Sequence, residues 1–142
     1  CGIDGIIPSS PRTALQLPAR AEDFPKTVAQ GLDALQADGI GGPYALVLGP
    51  AAYQLLTQAV GPGYPVKRGV ESLLQGEILR SRALEGGVLL SARGGAFKMT
   101  VGADLSIGYS SHDAEDAHLY LAESFTFRVI EPAAAVALKP AK

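Results

Sequence analysis

The sequence has 142 residues, of which 47% are hydrophobic and 18% are charged, and its formal net charge at pH 7 is −2. This composition excludes a chain kept disordered by high charge and low apolarity, and the small net charge gives no electrostatic basis for binding nucleic acid. The single cysteine, Cys1, excludes an internal disulfide and leaves a cysteine–histidine zinc site short of ligands. The longest apolar run is too short to span a membrane, and no signal peptide is recognisable, which favours a cytoplasmic protein.

The first half of the chain predicts helices around one buried strand. Residues 1–20, which contain three prolines, are typical of an extended connection. Phe24, Val28, Leu32 and Leu35 then recur at helical spacing, with Asp23 as N-cap, Pro25 in the first turn and Gly39 at the end. The apolar run 44–48 lies between Gly/Pro breakers and suits a strand buried on both faces.

Two further helices are expected before the pattern changes. The first begins at Pro50 and carries Tyr53, Leu55, Leu56 and Ala59. The second is shorter, points Val70, Leu73 and Leu74 inward, and stops at Gly76.

From residue 77 onward the pattern indicates strands. Gly94-Gly95 lies between two β-like runs and predicts a tight hairpin in which Ala92, Leu90 and Val88 face Phe97, Met99 and Val101.

The remaining strands follow the same alternating pattern. Residues 103–109 predict a half-buried strand, and residues 118–130 predict a long one. Glu123 interrupts the apolar face of the long strand, so a bend or bulge is expected there. A last short strand, residues 134–138, follows Pro132.

Candidate catalytic and metal-binding motifs are weak. Residues 110–113 contain serine, histidine and aspartate, but adjacent side chains diverge and do not form a triad, so a solvated turn is expected. His112 and His118 lie near acidic residues in a loop that offers no converging ligand geometry. No glycine cluster has the spacing of a phosphate-binding loop. Residue chemistry alone therefore predicts no catalytic residue, no metal and no cofactor.

Several segments together resemble one family. LEGGVLLSARGGAFKMTVGADLSIGYSSHD, LYLAESFTFRV and PAAAVAL, with DGIGGPYALVLGP and GYPVKR upstream, are similar to the C-terminal half of encapsulins, the linocin-like bacterial nanocompartment shell proteins. The resemblance covers residues 5–138.

The resemblance implies an α+β fold of the tailed-phage major-capsid type. Residues 1–17 would be a connecting segment, 18–102 the axial domain, and 103–142 the C-terminal strands of the peripheral domain. The N-terminal arm, extended loop and spine helix of the family would be absent, so the start at Cys1 is interpreted as the middle of a shell subunit.

The resemblance also implies a function and partners. The chain would belong to an icosahedral shell that encloses cargo such as ferritin-like proteins (hence iron storage) or dye-decolorising peroxidases, recognised through a targeting peptide. It would associate with the missing N-terminal half of the subunit or with itself.

One loop is singled out as a candidate pore wall. In relatives the loop before the Gly-Tyr-Pro motif lines a five-fold pore, and here it comprises Gln58, Ala59, Val60, Gly61, Pro62, Gly63 and Tyr64. The absence of a histidine or a charged residue in this loop predicts a pore lined mainly by backbone groups, without a titratable gate. An ordinary interhelix loop is the alternative.

Two other function classes stay open at this stage. One is a hydrolase or bacteriocin-like secreted activity, because related sequences have carried such labels. The other is a standalone binding module.

Overall fold

A computed structural model describes residues 2–58, 60–61 and 64–140. The helices are α1 (Ile6–Ser9), α2 (Phe24–Ala37), α3 (Pro50–Gln58) and α4 (Val66–Leu74). The strands are β1 (Leu15–Gln16), β2 (Tyr44–Leu48), β3 (Val60–Gly61), β4 (Tyr64–Pro65), β5 (Ile78–Arg80), β6 (Gly87–Ser91), β7 (Phe97–His112), β8 (Ala117–Val129) and β9 (Ala135–Lys139). No helix in the described part of the chain is long and apolar enough to cross a membrane.

Helix α2 forms as its apolar spacing predicts. Phe24, Val28, Leu32 and Leu35 are all buried. Pro25 lies in the first turn, where its missing N–H has no intrahelical acceptor to lose. Asp23 precedes the helix but makes no capping hydrogen bond through its side chain, contrary to expectation.

Helices α3 and α4 bury Leu56, Val70 and Leu74, while Leu73, expected to point inward, is exposed. The left-handed residue that ends α4 is Gln75, with φ +52°, and not Gly76. Gly76 has a different role, because a Cβ there would lie 2.1 Å from the carbonyl oxygen of Tyr44. The glycine lets β5 approach β2 closely.

The central sheet has five strands in the order β1-β9-β6-β2-β5. β6 runs antiparallel to both of its neighbours, whereas β2–β5 and β1–β9 are parallel pairs. Leu46, Leu48, Leu89 and Val136 are fully buried with the helices in one hydrophobic core. The predicted strand at 44–48 is thereby confirmed.

The N-terminal segment packs at the edge of the sheet, and Ile6, Ile7 and Pro8 line a cavity with Val47, Val88 and Leu90 on the face of the sheet opposite to the helices. The expectation of a wholly extended connection is wrong, because Ile6–Ser9 form one helical turn and Leu15–Gln16 pair with β9. Pro8 is tolerated because the backbone N–H groups in the first turn of a helix have no intrahelical carbonyl acceptor, so the N–H that proline lacks costs no hydrogen bond. Arg12 fixes this segment by donating hydrogen bonds to the carbonyls of Ala133 and Ala34 and by pairing with Asp38.

The predicted hairpin between β6 and β7 is wrong. β6 pairs with β2 and β9, while β7 pairs with β8. Gly94 and Gly95 do adopt positive φ, +89° and +85°, but the turn leads the chain out of the sheet. The apolar residues at 97, 99 and 101 face Val129, Phe127 and Phe125, which match them as well as the expected partners would.

β7 and β8 form a separate two-stranded ribbon. The predicted long strand is confirmed, whereas the strand expected at 103–109 is part of β7 and is not half-buried: Ile107 is 70% exposed. The last strand is confirmed one residue later than expected and joins the central sheet. This sheet therefore draws strands from each of the three predicted segments, and the division at residues 17 and 102 stays a prediction.

Candidate functional site: an amphipathic ribbon and a candidate pore loop

The β7–β8 ribbon has one apolar and one polar face. Residues alternate between the faces along each strand, and directly opposed residues share a face. The apolar face is defined by the following residues: Phe97, Met99, Val101, Leu105, Ile107, Tyr109, Leu119, Leu121, Phe125, Phe127 and Val129. The polar face carries the opposed pairs Lys98–Arg128, Thr100–Thr126, Ser106–Ala122 and Ser111–His118, together with Tyr120.

Three bulges preserve this separation along a ribbon of unequal strands. β7 has 16 residues and β8 has 13. The register shifts after Val101, after Ala103 and after Tyr109, and each time β7 contributes the extra residue. Two residues of a bulge that oppose one residue keep the later side chains on their original faces. The apolar side chains therefore stay on one side of the ribbon, interrupted at Glu123.

The first and second bulges lie beside Ser124 and Glu123. The Ser124 hydroxyl accepts a hydrogen bond of 2.8 Å from the backbone N–H of Ala103. A Cβ at Gly102 would approach that hydroxyl to 2.8 Å, so the glycine makes room for this contact. At the second bulge Asp104 and Leu105 together oppose Glu123, which confirms the irregularity predicted there.

The apolar face is exposed along most of its length, from Met99 and Phe125 to the tip, whereas Phe97 packs against the hydrophobic core and Phe127 and Val129 are half-buried at the base of the ribbon. Leu121 is 70% exposed and Phe125 is 50% exposed. Full burial of such a side chain stabilises a protein by about 1.5–3 kcal/mol, most of which this arrangement leaves unrealised. A two-stranded hairpin is also marginally stable in water unless one face packs on something. The apolar face is therefore a candidate assembly surface.

The ribbon tip carries the residues of the Ser-Ser-His-Asp motif. Ser110, Ser111 and His112 are the last three residues of β7, and the His112 ring Nδ1 contacts the Tyr109 hydroxyl rather than a serine. Asp113 begins the turn, where its carboxylate accepts hydrogen bonds from the backbone N–H groups of Glu115 and Asp116.

The electrostatics of the tip follow from that turn. Those two backbone hydrogen bonds, with a weaker contribution from His118, lower the pKa of Asp113 below its ordinary value. The Asp113 carboxylate and the His118 ring Nε2 are 3.4 Å apart. Across the described ranges, no three histidine, cysteine, aspartate or glutamate side chains converge as metal ligands would. The tip is built as a hydrogen-bonded turn.

The candidate pore loop is described only in part. Gln58 is the last residue of α3, and β3 pairs antiparallel with β4, so that Val60 opposes Pro65 and Gly61 opposes Tyr64. Ala59, Pro62 and Gly63 lie outside the described residues, as does Cys1. The backbone thus returns on itself between α3 and α4. A role of this loop in a pore stays a prediction.

The sequence indicated some features of the ribbon and missed others. Glu123 was visible as a break in an apolar alternation. The bulge beside Gly102 had one signal, a glycine inside a strand pattern, while the bulge beside Ser110 had none. Arg12 was not singled out, because its acceptors are carbonyls and a carboxylate 22 to 121 residues away in the sequence.

Comparison of the sequence with protein families gives one match over most of the chain. The model of the family Linocin_M18, described as the encapsulating protein for peroxidase, matches residues 1–126. The type 1 encapsulin shell protein of Rhodospirillum rubrum is 48% identical over 139 residues, which are 97% of this chain and 50% of that protein. The corresponding protein of Brevibacterium linens is 43% identical, over 96% of this chain and 52% of its own. The chain thus spans about half the length of these relatives.

Solved structures resemble the fold at low sequence identity. A virus-like particle from Pyrococcus furiosus superposes with a TM-score of 0.70 and 17% identity, covering 89% of this chain and 56% of the other. A structure of Mycobacterium phage Che8 gives a TM-score of 0.68 and 15% identity, covering 94% and 55%. These likenesses concern the fold alone, and they confirm the expected capsid-like α+β architecture.

Proposed function

This chain belongs to the Linocin_M18 family of encapsulating proteins, and on that premise we propose that it forms the C-terminal half of a shell subunit in an encapsulin nanocompartment. The single observation that supports a structural role most directly is the exposed apolar face of the β7–β8 ribbon. Large exposed apolar patches mark interaction surfaces, protein–protein interfaces among them. A subunit that assembles with other protein segments covers such a surface.

The partner of the apolar face, in this proposal, is the part of the subunit that precedes this chain in its relatives. The relatives are about twice as long as this chain. Face-to-face burial of the ribbon would complete a layer that the 142 residues leave open on one side. The complete subunit would then associate with further copies through heterologous contacts that close under rotation.

The proposed role of the shell is to enclose cargo enzymes, a peroxidase among them, in the bacterial cytoplasm. The family description names peroxidase as the protein enclosed. Recognition of cargo through a targeting peptide, and the enclosure of ferritin-like proteins, are further parts of this proposal. The loop from Gln58 to Tyr64 is proposed to line a pore without a titratable side chain.

Electron microscopy and gel filtration of the complete subunit test the proposal. Closed particles of uniform size are expected, and a soluble monomer would contradict it. Empty particles assayed for peptide hydrolysis distinguish a shell from the alternative hydrolase, since a shell without cargo should show no turnover. A standalone binding module would form no closed particle under the same conditions.

A further inference from the structure

A groove lies outside the carboxyl ends of the parallel strands β2 and β5. The chain passes from β2 through α3 and α4 into β5, so these elements form a crossover between two parallel neighbours. In α/β sheets, ligands bind in the crevice outside the carboxyl ends of such strands. The groove has a volume of about 250 Å³ and is lined by Pro50, Tyr53, Gln54, Thr57 and Arg80. This position makes the groove a candidate ligand site, separate from the ribbon.

The register of the sheet directs Arg80 to this groove. Arg80 is opposed to Leu48 across the β2–β5 pair, and opposed residues share a face of the sheet. Leu48 is fully buried in the core that the helices cover. The next residue, Ser81, lines the cavity on the other face of the sheet, and its N–H donates to the Leu48 carbonyl at 2.9 Å. The Arg80 guanidinium therefore reaches the groove from a backbone held by sheet pairing.

Arg80 gives the groove a positive charge. None of the ion pairs between described residues includes Arg80. Lys67 lies beside the groove, with its Nζ 5.9 Å from the centre of the Tyr53 ring, but it is paired with Glu71 at 3.4 Å. Among the described residues that line the groove, none is acidic. The described part of the chain therefore leaves the Arg80 charge without a counter-ion.

The remaining lining residues and the size of the groove suit a small anion. The Thr57 hydroxyl already donates to the Tyr53 carbonyl, at 2.9 Å. The Tyr53 hydroxyl and the Gln54 side-chain amide supply further N–H and O–H donors to the lining. Pockets for drug-sized ligands have volumes of about 300–1,000 Å³. The groove is smaller than these, so it fits a small anion better than a large cofactor.

We propose that the groove between α3 and the end of β5 binds a small oxyanion, a phosphate or a carboxylate, through the guanidinium of Arg80. The planar guanidinium offers two parallel N–H donors, which match two oxygens of either group. Tyr53 and Gln54 donate further hydrogen bonds to the bound anion. The site goes beyond the proposed shell function and does not depend on it, so the failure of one leaves the other intact.

Titrations of the whole 142-residue chain with inorganic phosphate, and separately with acetate, test the site. Potassium chloride keeps the ionic strength constant, so that general screening does not change during the titration. NMR should show saturable shifts of the backbone amides of Tyr53, Gln54 and Arg80 with at least one of the two anions. The anion that binds more tightly identifies the preferred group. Shifts that do not saturate, or no shifts with either anion, would overturn the proposal.

Two matched substitutions decide whether Arg80 holds the anion. Arg80→Gln should weaken binding about fivefold to tenfold, the loss expected for a hydrogen bond to a charged group near the surface. Arg82→Gln removes the same charge from an exposed residue outside the groove lining, and it should change the affinity less than about twofold. Both positions are exposed, so both variants should keep the amide spectrum of the fold. Equal losses in the two variants would show that only net charge matters and would refute a site at Arg80.

Discussion

Leu121 offers a direct test of whether the apolar face drives association. It is 70% exposed on that face, while the next residue, Ala122, lies on the polar face opposite Ser106. Leu121→Ser removes an apolar side chain at the assembly surface, and Ala122→Ser is the matched control that introduces the same residue one position away.

The magnitude follows from the exposed area. Complete burial of a leucine is worth about 1.5–3 kcal/mol, and with about 70% of the side chain still exposed, on the order of 1–2 kcal/mol remains to be gained by association. Loss of that gain weakens association by roughly fivefold to thirtyfold. The free energy of unfolding should change by less than about 0.5 kcal/mol, because exposed positions contribute little to it.

Sedimentation velocity and binding of an apolar fluorescent dye measure the effect. The unsubstituted chain should self-associate weakly or bind the dye, since its apolar face is open when no other segment is present. Leu121→Ser should reduce both signals, and Ala122→Ser should not. A monodisperse chain that binds no dye, or two variants that behave alike, would refute the reasoning.

Three further predictions concern the fold and the ribbon tip. Leu35→Ala should lower the free energy of unfolding by about 2–5 kcal/mol in urea titrations, because Leu35 is fully buried; the exposed Leu73→Ala is the control and should cost less than about 1 kcal/mol. Arg12→Ala should cost about 1–3 kcal/mol because the partly buried carbonyl groups of Ala34 and Ala133 lose their donor, and a loss no larger than that of Asp38→Asn, which removes only the exposed ion pair, would contradict this. Because the pKa of Asp113 is lowered in the folded ribbon, the stability that its ionised carboxylate adds to the fold is fully present above the ordinary aspartate pKa and is lost as the pH falls through the lowered value. An NMR titration should show chemical-shift changes of the amides at the ribbon tip that follow the lowered pKa, and these changes should be absent in Asp113→Asn.

The longer helices, α2, α3 and α4, were predictable because their signals are local. The spacing of Phe24, Val28, Leu32 and Leu35 identifies the buried face of α2 without reference to the rest of the chain. A short apolar run between breakers similarly identified β2. In both cases the local pattern of apolar residues is enough to predict which side chains are buried.

Strand partners could not be predicted in the same way. Val88 and Leu89 are buried because β6 lies between two other strands, one of which begins more than forty residues later. The local alternation of apolar residues predicted that β6 pairs with β7. In the structure β7 pairs with β8 instead, and the two match the same alternation over a longer stretch. A glycine pair fixes the turn conformation but does not fix the direction in which the chain continues.

The candidate site was visible only as an irregularity. Glu123 stood out as one acidic residue in an apolar series. The alternation did not reveal that most of the series, including Leu119, Leu121 and Phe125, stays exposed, since burial depends on what lies against the ribbon and not on the ribbon sequence.

The three bulges also bear on how the length of this ribbon can change during evolution. Each bulge is a place where β7 already holds one residue more than β8. A one-residue deletion at Gly102, Leu105 or Ser110 would convert a bulge into regular pairing and leave every later side chain on its own face. The same deletion between bulges would exchange the two faces beyond it. Length variation among natural variants of β7 is therefore expected to concentrate at those three positions.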